Sequence, residues 1–177
     1  MIIKTFEINR KKFDKENFFL IYGENEGLKN EIIKILKKNL NGNIENYDET
    51  QIISNSELLY EKMFNQSFFE KEKIIIINRC SDKIYTIIEN IIEKENSDIK
   101  IILNAGILDK KSKLRNLFEK SRELIIVPTY KDNSVTLADI AKKFFSNYKI
   151  SISQETINLL VNRRNGDRGH LKSELDK

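Results

Sequence analysis

The chain has 177 residues, of which 33% are charged and 40% hydrophobic, and it carries a formal net charge of +4. This length allows one large domain, or one domain with a small attachment, that folds on a hydrophobic core without a metal or a disulfide. The composition excludes a disordered chain, and the modest charge falls short of the dense basic surface that marks a dedicated nucleic-acid binder.

Four short apolar runs rich in isoleucine predict the buried strands of a parallel sheet. They are residues 17–23, 73–78, 99–104 and 123–128. The segments between these runs have helical spacing instead, with apolar stripes over 28–40, 84–92 and 114–118. Because strands that alternate with helices form βαβ units, residues 1–134 predict an α/β domain with helices flanking a parallel sheet.

The stretch around residue 55 predicts a helix that ends near two adjacent phenylalanines. Ser54 and Glu57 have the spacing of a capping box, and Phe68 and Phe69 follow at or beyond the predicted end of the helix. Adjacent side chains point in different directions, so one core accepts both rings only if the chain bends. Either both rings pack inside, or both project as an anchor in which each contributes roughly 1.5 to 3 kcal/mol in a partner's pocket.

Beyond the last predicted strand the pattern is helical only, which predicts a small all-α domain over residues 135–177. Thr136 with Asp139 has capping-box spacing for its first helix, and Ser153 is the predicted N-cap of the second. The stretch GDRGHLKSELDK begins a third helix, which reaches Lys177 without a stop signal. We therefore expect the sequence to be a piece of a longer protein.

The segment GENEGLKN, residues 23–30, lies where nucleotide-binding α/β proteins have a phosphate-binding loop, between a strand and a helix. Its chemistry does not suit that role. Only three residues separate Gly23 from Gly27, and two of them are glutamates that would repel a polyphosphate. Lys29 is followed by Asn30 where a magnesium-binding hydroxyl should stand. We predict a degenerate phosphate loop.

A second requirement of ATP hydrolysis is also missing. An active site needs an acidic residue at the end of a neighbouring strand to hold magnesium, but strand 73–78 ends in Asn78, followed by Arg79. Two separate losses favour a relative of ATPases without activity, so no catalytic residue, metal or cofactor is predicted. The order of strand, glycine and helix leaves an active P-loop NTPase with an unusual loop as an alternative.

The stretch LDKKSKLRNLFEK, residues 108–120, concentrates four cations at the start of a helix. They are Lys110, Lys111, Lys113 and Arg115. Such cations, together with helix N–H groups, can bind phosphate. A basic nucleic-acid-binding module is therefore a further alternative for the function, and the four cations are candidates for contact with DNA or with another subunit. The same residues also fit a solvated helix face capped by Asp109.

Cysteine and histidine each occur once, as Cys80 and His170. A single cysteine forms no intramolecular disulfide, and a metal site needs more ligands of these types, which fits a reducing compartment. We predict Cys80 as a small buried residue and His170 as a surface residue. No run is apolar enough for a signal peptide or a membrane span, and we expect a cytoplasmic protein without membrane contact.

Five stretches, in order along nearly the whole chain, resemble the delta subunit of the bacterial DNA polymerase III clamp loader. They are FFLIYGENEGLKNE, SFFEKEKIIIINRCSDK, IILNAGILDKKSKLRNLFEK, VPTYKDNSVTLADI and RRNGDRGHLKSELDK. The resemblance implies an AAA+-type, P-loop NTPase-like domain that has lost its ATP site, followed by a helical lid domain. It also implies that the family's collar domain is absent from this sequence, and that the chain hydrolyses no ATP itself, although the holoenzyme is a DNA-directed DNA polymerase.

The family carries a hydrophobic wedge, typically Ser-Leu-Phe just before its third strand, which enters a pocket of the sliding clamp and helps to open the ring. Gln66, Ser67, Phe68 and Phe69 stand at that place here, so the resemblance implies that they bind the clamp. Phe68 differs from the usual leucine, whereas Phe69 matches. The implied partners are the sliding clamp (beta subunit), the gamma or tau and delta prime subunits, and DNA through the assembled loader.

Overall fold

The computed structural model describes residues 1–8, 11, 13, 15–40, 42–57, 60, 73–94, 99–162 and 166–176. The chain divides into two compact units. The sheet unit comprises Met1–Gly23 and Ile32–Pro128, and the helical unit comprises Glu24–Glu31 and Thr129–Lys177. Gln66, Ser67, Phe68 and Phe69 lie outside the described residues.

The sheet unit is built on a five-stranded parallel sheet with the order β2-β3-β4-β1-β5. Its strands are β1 (Phe18–Gly23), β2 (Asn43–Asp48), β3 (Lys73–Cys80), β4 (Ile99–Ala105) and β5 (Ile125–Thr129). Four of them fall on the predicted runs, and the predicted α/β class with a parallel sheet is confirmed. The sequence analysis missed β2, an edge strand whose sequence NIENYD is polar and has no buried residue.

Seven helices accompany the sheet within the described ranges. They are α1 (Glu26–Asn39), α2 (Glu49–Ser54), α3 (Tyr85–Glu93), α4 (Lys113–Lys120), α5 (Ser134–Asn147), α6 (Gln154–Asn162) and α7 (Arg168–Leu175). None of the helices so described is long and apolar enough to cross a membrane.

The isoleucine runs are explained by burial on both faces of the sheet. Residues 74 to 77 of β3 are each at most 1% exposed, although successive side chains of a strand point to opposite faces. On one face, Ile75 and Ile77 pack in a cluster with Phe118 of α4. Helices must therefore cover both faces, which is the arrangement expected of a parallel sheet.

A helix is present near residue 55 as predicted, but Ser54 does not cap it. Ser54 was predicted to cap a helix beginning near residue 55. Residues 56, 57 and 60 are helical, but Ser54 ends α2, and its hydroxyl donates to the Gln51 carbonyl at 3.1 Å. The helix that Ser54 ends begins after Asp48, whose N–H donates to the Gln51 side chain at 2.8 Å.

Two further predicted caps are replaced by nearby residues. Ser112, not Asp109, caps α4, because its hydroxyl accepts from the Arg115 N–H at 3.1 Å. Asn133 caps α5 by accepting from the Thr136 N–H at 2.8 Å, so this helix starts before the predicted Thr136. Asn, Asp and Ser all serve as N-caps, so composition alone cannot choose among neighbours.

The helical unit has a small core of its own. Side chains from α5, α6 and α7 form it, namely Leu137, Ala141, Ile157, Val161 and Leu171. Ser153 caps α6 as predicted, since its hydroxyl accepts from the Thr156 N–H at 3.1 Å. Asp167 caps α7 by accepting from the His170 N–H at 2.9 Å.

Candidate functional site

In α/β proteins, ligands bind at the carboxyl ends of the parallel strands, and in the sheet unit this edge carries two amides. Asn104 of β4 donates from Nδ2 to Oδ1 of Asn78 in β3 at 3.0 Å, and Asn78 donates to the Tyr47 carbonyl at 3.4 Å. The Oδ1 atom of Asn104 is buried and has no hydrogen-bond partner among the described residues. Magnesium favours carboxylate ligands, and neither amide provides one.

The carboxylates near this edge are committed to structural contacts. Glu49, which is buried, accepts from the Ser81 N–H at 2.6 Å and from its hydroxyl at 2.9 Å. Asp82 accepts from the Ser112 hydroxyl at 2.6 Å and from the Leu114 N–H at 3.0 Å. Desolvation opposes the charged form of Asp82, but these hydrogen bonds outweigh it and lower its pKa. No group of three or more acidic, histidine or cysteine side chains that could hold a metal ion occurs in the ranges that the structure describes.

Arg79 has an unusual backbone at the end of β3. Its φ of 59° lies in the left-handed region, and the register between β3 and β4 shifts between Asn78 and Cys80. Such an irregularity redirects a side chain. The guanidinium of Arg79 is 77% exposed and pairs with Asp48 at the end of β2.

Cys80 is buried, as the sequence predicts. Desolvation, and then the charge of Glu49, raise the pKa of its thiol, which donates a hydrogen bond to the Ile77 carbonyl at 3.1 Å. His170 is exposed, also as predicted. Neither side chain therefore has the environment of a reactive thiol or a buried proton relay.

The segment that follows β1 is anchored by Asn25 in the helical unit. Its side-chain oxygen accepts from the Leu28 N–H at 3.0 Å and so caps α1. Its amide nitrogen donates to the Tyr130 carbonyl and to Oδ2 of Asp132, both at 2.9 Å. The sequence analysis missed this role, although an asparagine before a helix is itself a capping signal.

Lys29, the cation of the predicted degenerate loop, contacts a neighbour on its own helix. It is 2% exposed, and its ammonium lies 2.6 Å from Oε1 of Glu26. In a working phosphate loop this lysine extends to the β- and γ-phosphates. Here the ammonium is paired with a carboxylate of its own helix instead.

Gly27 permits a close approach between two helix starts within the helical unit. A Cβ atom at this position would lie 2.7 Å from the backbone nitrogen of Gly169 and 3.1 Å from its Cα, too close for any side chain. Gly27 is therefore explained by packing of the first turn of α1 against the first turn of α7. The sequence analysis did not identify Gly169, because nothing local links it to Gly27.

Arg168, at the start of α7, is held by two carboxylates. It donates from Nε and Nη2 to the two oxygens of Asp132 at 2.9 and 2.6 Å, and from Nη1 to Oε2 of Glu31 at 3.0 Å. Lys172 makes an ion pair with the other Glu31 oxygen at 2.7 Å, without hydrogen-bond geometry. Desolvation opposes the Arg168 charge, but these partners outweigh it and raise its pKa. Charged groups of the chain itself thus satisfy the guanidinium.

The four cations predicted between residues 110 and 115 differ in their exposure. Lys110, Lys111 and Lys113 are exposed. Arg115 is instead half-buried, donates to Glu119 at 2.8 Å and to the Leu108 carbonyl at 3.1 Å, and lies over the Tyr22 ring. Lys110 and Lys111 are therefore available to a partner of the sheet unit, whereas the Lys113 ammonium lies 6.0 Å from the centroid of the Tyr85 ring.

The solved structures that are similar to this chain include the following three. The Bacillus subtilis DNA clamp loader delta protein matches with a TM-score of 0.62 and 17% identity, over 97% of this chain and 56% of that one. The Thermotoga maritima RuvB Holliday junction branch migration motor matches with a TM-score of 0.59 and 15% identity, over 90% and 53%. Domain III of the Thermotoga maritima replication initiation protein DnaA matches with a TM-score of 0.51 and 12% identity, over 98% and 79%.

These similarities show the fold alone, a five-stranded parallel sheet flanked by helices that matches neighbours of the AAA+ and P-loop-like type. The chain spans little more than half the length of the clamp loader delta protein that it matches. No protein-family model matches the sequence, and no curated protein is significantly similar to it.

Proposed function

We propose that the chain is a delta-type clamp-loader subunit of bacterial replication, which acts in the cytoplasm without hydrolysing ATP. It binds the sliding clamp and helps to open the ring for loading onto primed DNA, while sister subunits handle ATP. The observation that carries the proposal is an AAA+ fold whose phosphate-loop segment is bound by the chain's own residues. The clamp loader delta protein that shares the fold over 97% of this chain adds support.

Three contacts within the helical unit support the absence of nucleotide binding. Lys29 is paired with Glu26, Gly27 packs on Gly169, and Asn25 is bonded to Asp132. A polyphosphate would have to displace a carboxylate from a buried ammonium and would gain little in return. The amides of Asn78 and Asn104 on the sheet unit likewise offer magnesium no anionic ligand.

The order of the strands supports the assignment of the wedge. The family's wedge lies just before the third strand, and β3, the third strand of this sheet, begins at Lys73. Phe69 precedes that start by only a few residues. In this proposal Gln66, Ser67, Phe68 and Phe69 contact the clamp, and both rings enter its pocket.

The wedge is tested by measuring affinity for the cognate sliding clamp by surface plasmon resonance. We expect Phe68→Ala with Phe69→Ala to weaken binding by at least about a hundredfold, because each buried ring contributes roughly 1.5 to 3 kcal/mol. Ile107→Ala removes another apolar side chain, 75% exposed on the sheet unit, and should leave the affinity unchanged. A folded double variant with wild-type affinity would refute the wedge.

The enzyme alternative rests on the preserved order of β1, glycine and α1. It predicts heat in a calorimetric titration with magnesium-ATP, together with phosphate release. We expect neither. Heat without phosphate release would instead indicate a nucleotide-binding subunit without activity.

The nucleic-acid alternative rests on the exposed Lys110, Lys111 and Lys113. It predicts duplex DNA binding that weakens steeply with salt and is lost when the three lysines are replaced by glutamine. No measurable affinity at low salt would remove this alternative.

A further inference from the structure

The apolar face of α5 extends past the core of the helical unit. Leu137 and Ala141 are buried in that core, and Phe144 and Tyr148 continue the same face one and two turns further. Neither aromatic residue belongs to the core cluster. Phe144 is half-buried, and Tyr148 is 66% exposed.

These aromatic side chains form one continuous surface. The ring centroids of Phe144 and Tyr148 lie 4.8 Å apart with planes tilted by 43°. The Phe145 ring meets that of Phe144 edge-on, with centroids 5.6 Å apart. Tyr148, the most exposed of the three, offers a ring face to a partner.

Three exposed lysines lie close in the sequence to the aromatic residues at the end of α5. Lys142 and Lys143 are exposed on the turn of α5 that precedes it, and Lys149 is exposed directly after Tyr148. None of the three makes an ion pair with a carboxylate in the described part of the chain. Asp139, one turn earlier on α5, is the acidic residue nearest to them along the helix. The end of α5 therefore carries exposed aromatic and positively charged side chains, with Lys149 next to Tyr148 in the chain.

A closed turn fixes Lys149 beside Tyr148. The Ile150 N–H donates to the Phe145 carbonyl at 2.9 Å, and the Lys149 N–H donates to the Ser146 carbonyl at 3.0 Å. This pair of bonds ends a helix with its last residue in the left-handed region, where glycine is favoured. Lys149 has a φ of 56° there, so it occupies the position at a backbone cost.

We propose that Phe144, Tyr148, Lys142, Lys143 and Lys149 form a binding surface for single-stranded nucleic acid. A single strand alternates planar bases with phosphates, and an exposed ring flanked by cations matches that alternation. An acidic peptide would satisfy the lysines but would offer no base to stack on Tyr148, and a duplex hides its base faces. The proposal does not depend on clamp binding and uses none of the wedge residues.

The test is fluorescence anisotropy of a short fluorescein-labelled oligothymidylate at low salt, with the intact chain. Tyr148→Ala should weaken binding roughly fivefold to a hundredfold, the effect of losing one stacked base. Tyr130→Ala is the matched control, since Tyr130 is 69% exposed in the same unit and touches Asn25 only through its carbonyl. It should bind as the wild type does.

A second variant separates binding from folding. Lys149→Gly removes one cation and also relieves the left-handed conformation, so the midpoint of urea unfolding should rise while affinity falls. In this variant the slope of log K against the logarithm of the salt concentration should become shallower by about 0.7, the value for one phosphate contact on a single strand. Lys110→Gln with Lys111→Gln should not alter oligothymidylate binding.

Several outcomes would overturn the proposal. They are no binding at low salt, equal affinities for Tyr148→Ala and Tyr130→Ala, or a loss confined to the Lys110 and Lys111 variant. Sedimentation that shows a dimer abolished by Tyr148→Ala would identify a second copy of the chain as the occupant. Phe68→Ala with Phe69→Ala should keep its oligothymidylate affinity, so failure of the clamp assignment and failure of this surface are distinguishable.

Discussion

Arg168 is a cation whose guanidinium is 12% exposed and bound to two carboxylates. Arg168→Ala would leave Asp132, 4% exposed, without its bidentate partner. Removing one member of a buried ion pair costs about 3 to 5 kcal/mol, because the remaining charge stays desolvated. We expect this loss in the free energy of unfolding measured with urea.

Arg79→Ala is the control for that variant, because it also removes an arginine from an ion pair. The Arg79 guanidinium is 77% exposed, so its pair with Asp48 should be worth less than about 1 kcal/mol. A loss of less than about 1 kcal/mol for Arg168→Ala as well would mean that the contacts of Arg168 stabilise the protein no more than an exposed ion pair does.

The pKa of the Cys80 thiol is raised above its ordinary value, chiefly by burial. We expect native protein at pH 8 to react with Ellman's reagent only as fast as it unfolds, and unfolded protein to react at once. In the unfolded protein the thiol ionises from about pH 8.5, whereas in the folded protein it stays protonated to higher pH. The contribution of Cys80 to the free energy of unfolding is therefore complete below about pH 8.5 and declines as the pH rises above that value. Rapid reaction of the native protein would contradict the buried position.

Residue roles were predictable where they depend on residue type alone. Burial of Cys80 and exposure of His170 followed from what such residues usually do. Asn25 and Arg168 were missed because their partner Asp132 is far away in the sequence and carries no local mark. The clamp-binding role of residues 66–69 remains a prediction.

At the scale of elements, the approach of α1 and α7 depends on two glycines. Gly27→Ala places a methyl group 2.7 Å from the backbone of Gly169, so one helix start must move, at a cost of about 1 to 3 kcal/mol. Gly106→Ala is the control, since nothing lies within 4 Å of its added methyl. Thermal unfolding should show a lower midpoint for Gly27→Ala alone, and an unchanged midpoint would contradict this packing.

The elements that the sequence predicted well are those whose pattern reflects burial. β1, β3, β4 and β5 are continuous apolar runs because helices cover the sheet on both faces. β2 escaped prediction because an edge strand needs no such run. Helix starts were less certain, since Asn133 and Thr136 both suit the start of α5 and only the hydrogen bond to Asn133 decides between them.

At the scale of the whole molecule, the proposed clamp-loader function predicts that nucleotide does not change the thermal stability of the protein. A ligand present at a hundred times its Kd stabilises a folded chain by about 2.7 kcal/mol, which for this length raises the unfolding midpoint by roughly 5 to 10 °C. We expect no shift in differential scanning fluorimetry with millimolar magnesium-ATP. A shift of several degrees would contradict the degenerate loop, and an active P-loop ATPase serves as the positive control.

The fold class was predictable because alternating strands and helices allow few arrangements. The assignment of residues to the two compact units was not predictable from the sequence. Residues 24–31 belong to the helical unit although they directly follow β1, because Asn25, Gly27 and Glu31 contact residues 130–132 and 168–172. Such contacts join distant parts of the sequence, which periodicity does not record.

The strand order has a consequence for the protein during its synthesis. β1 lies between β4 and β5, and Phe18 pairs with Ile101, about 80 residues later in the chain. At roughly 5 to 20 residues per second, β1 waits at least about four seconds on the ribosome before its first neighbour exists. During that interval the apolar run FFLIY has no strand to pair with, so we expect chaperones that bind extended hydrophobic segments to recognise the nascent chain.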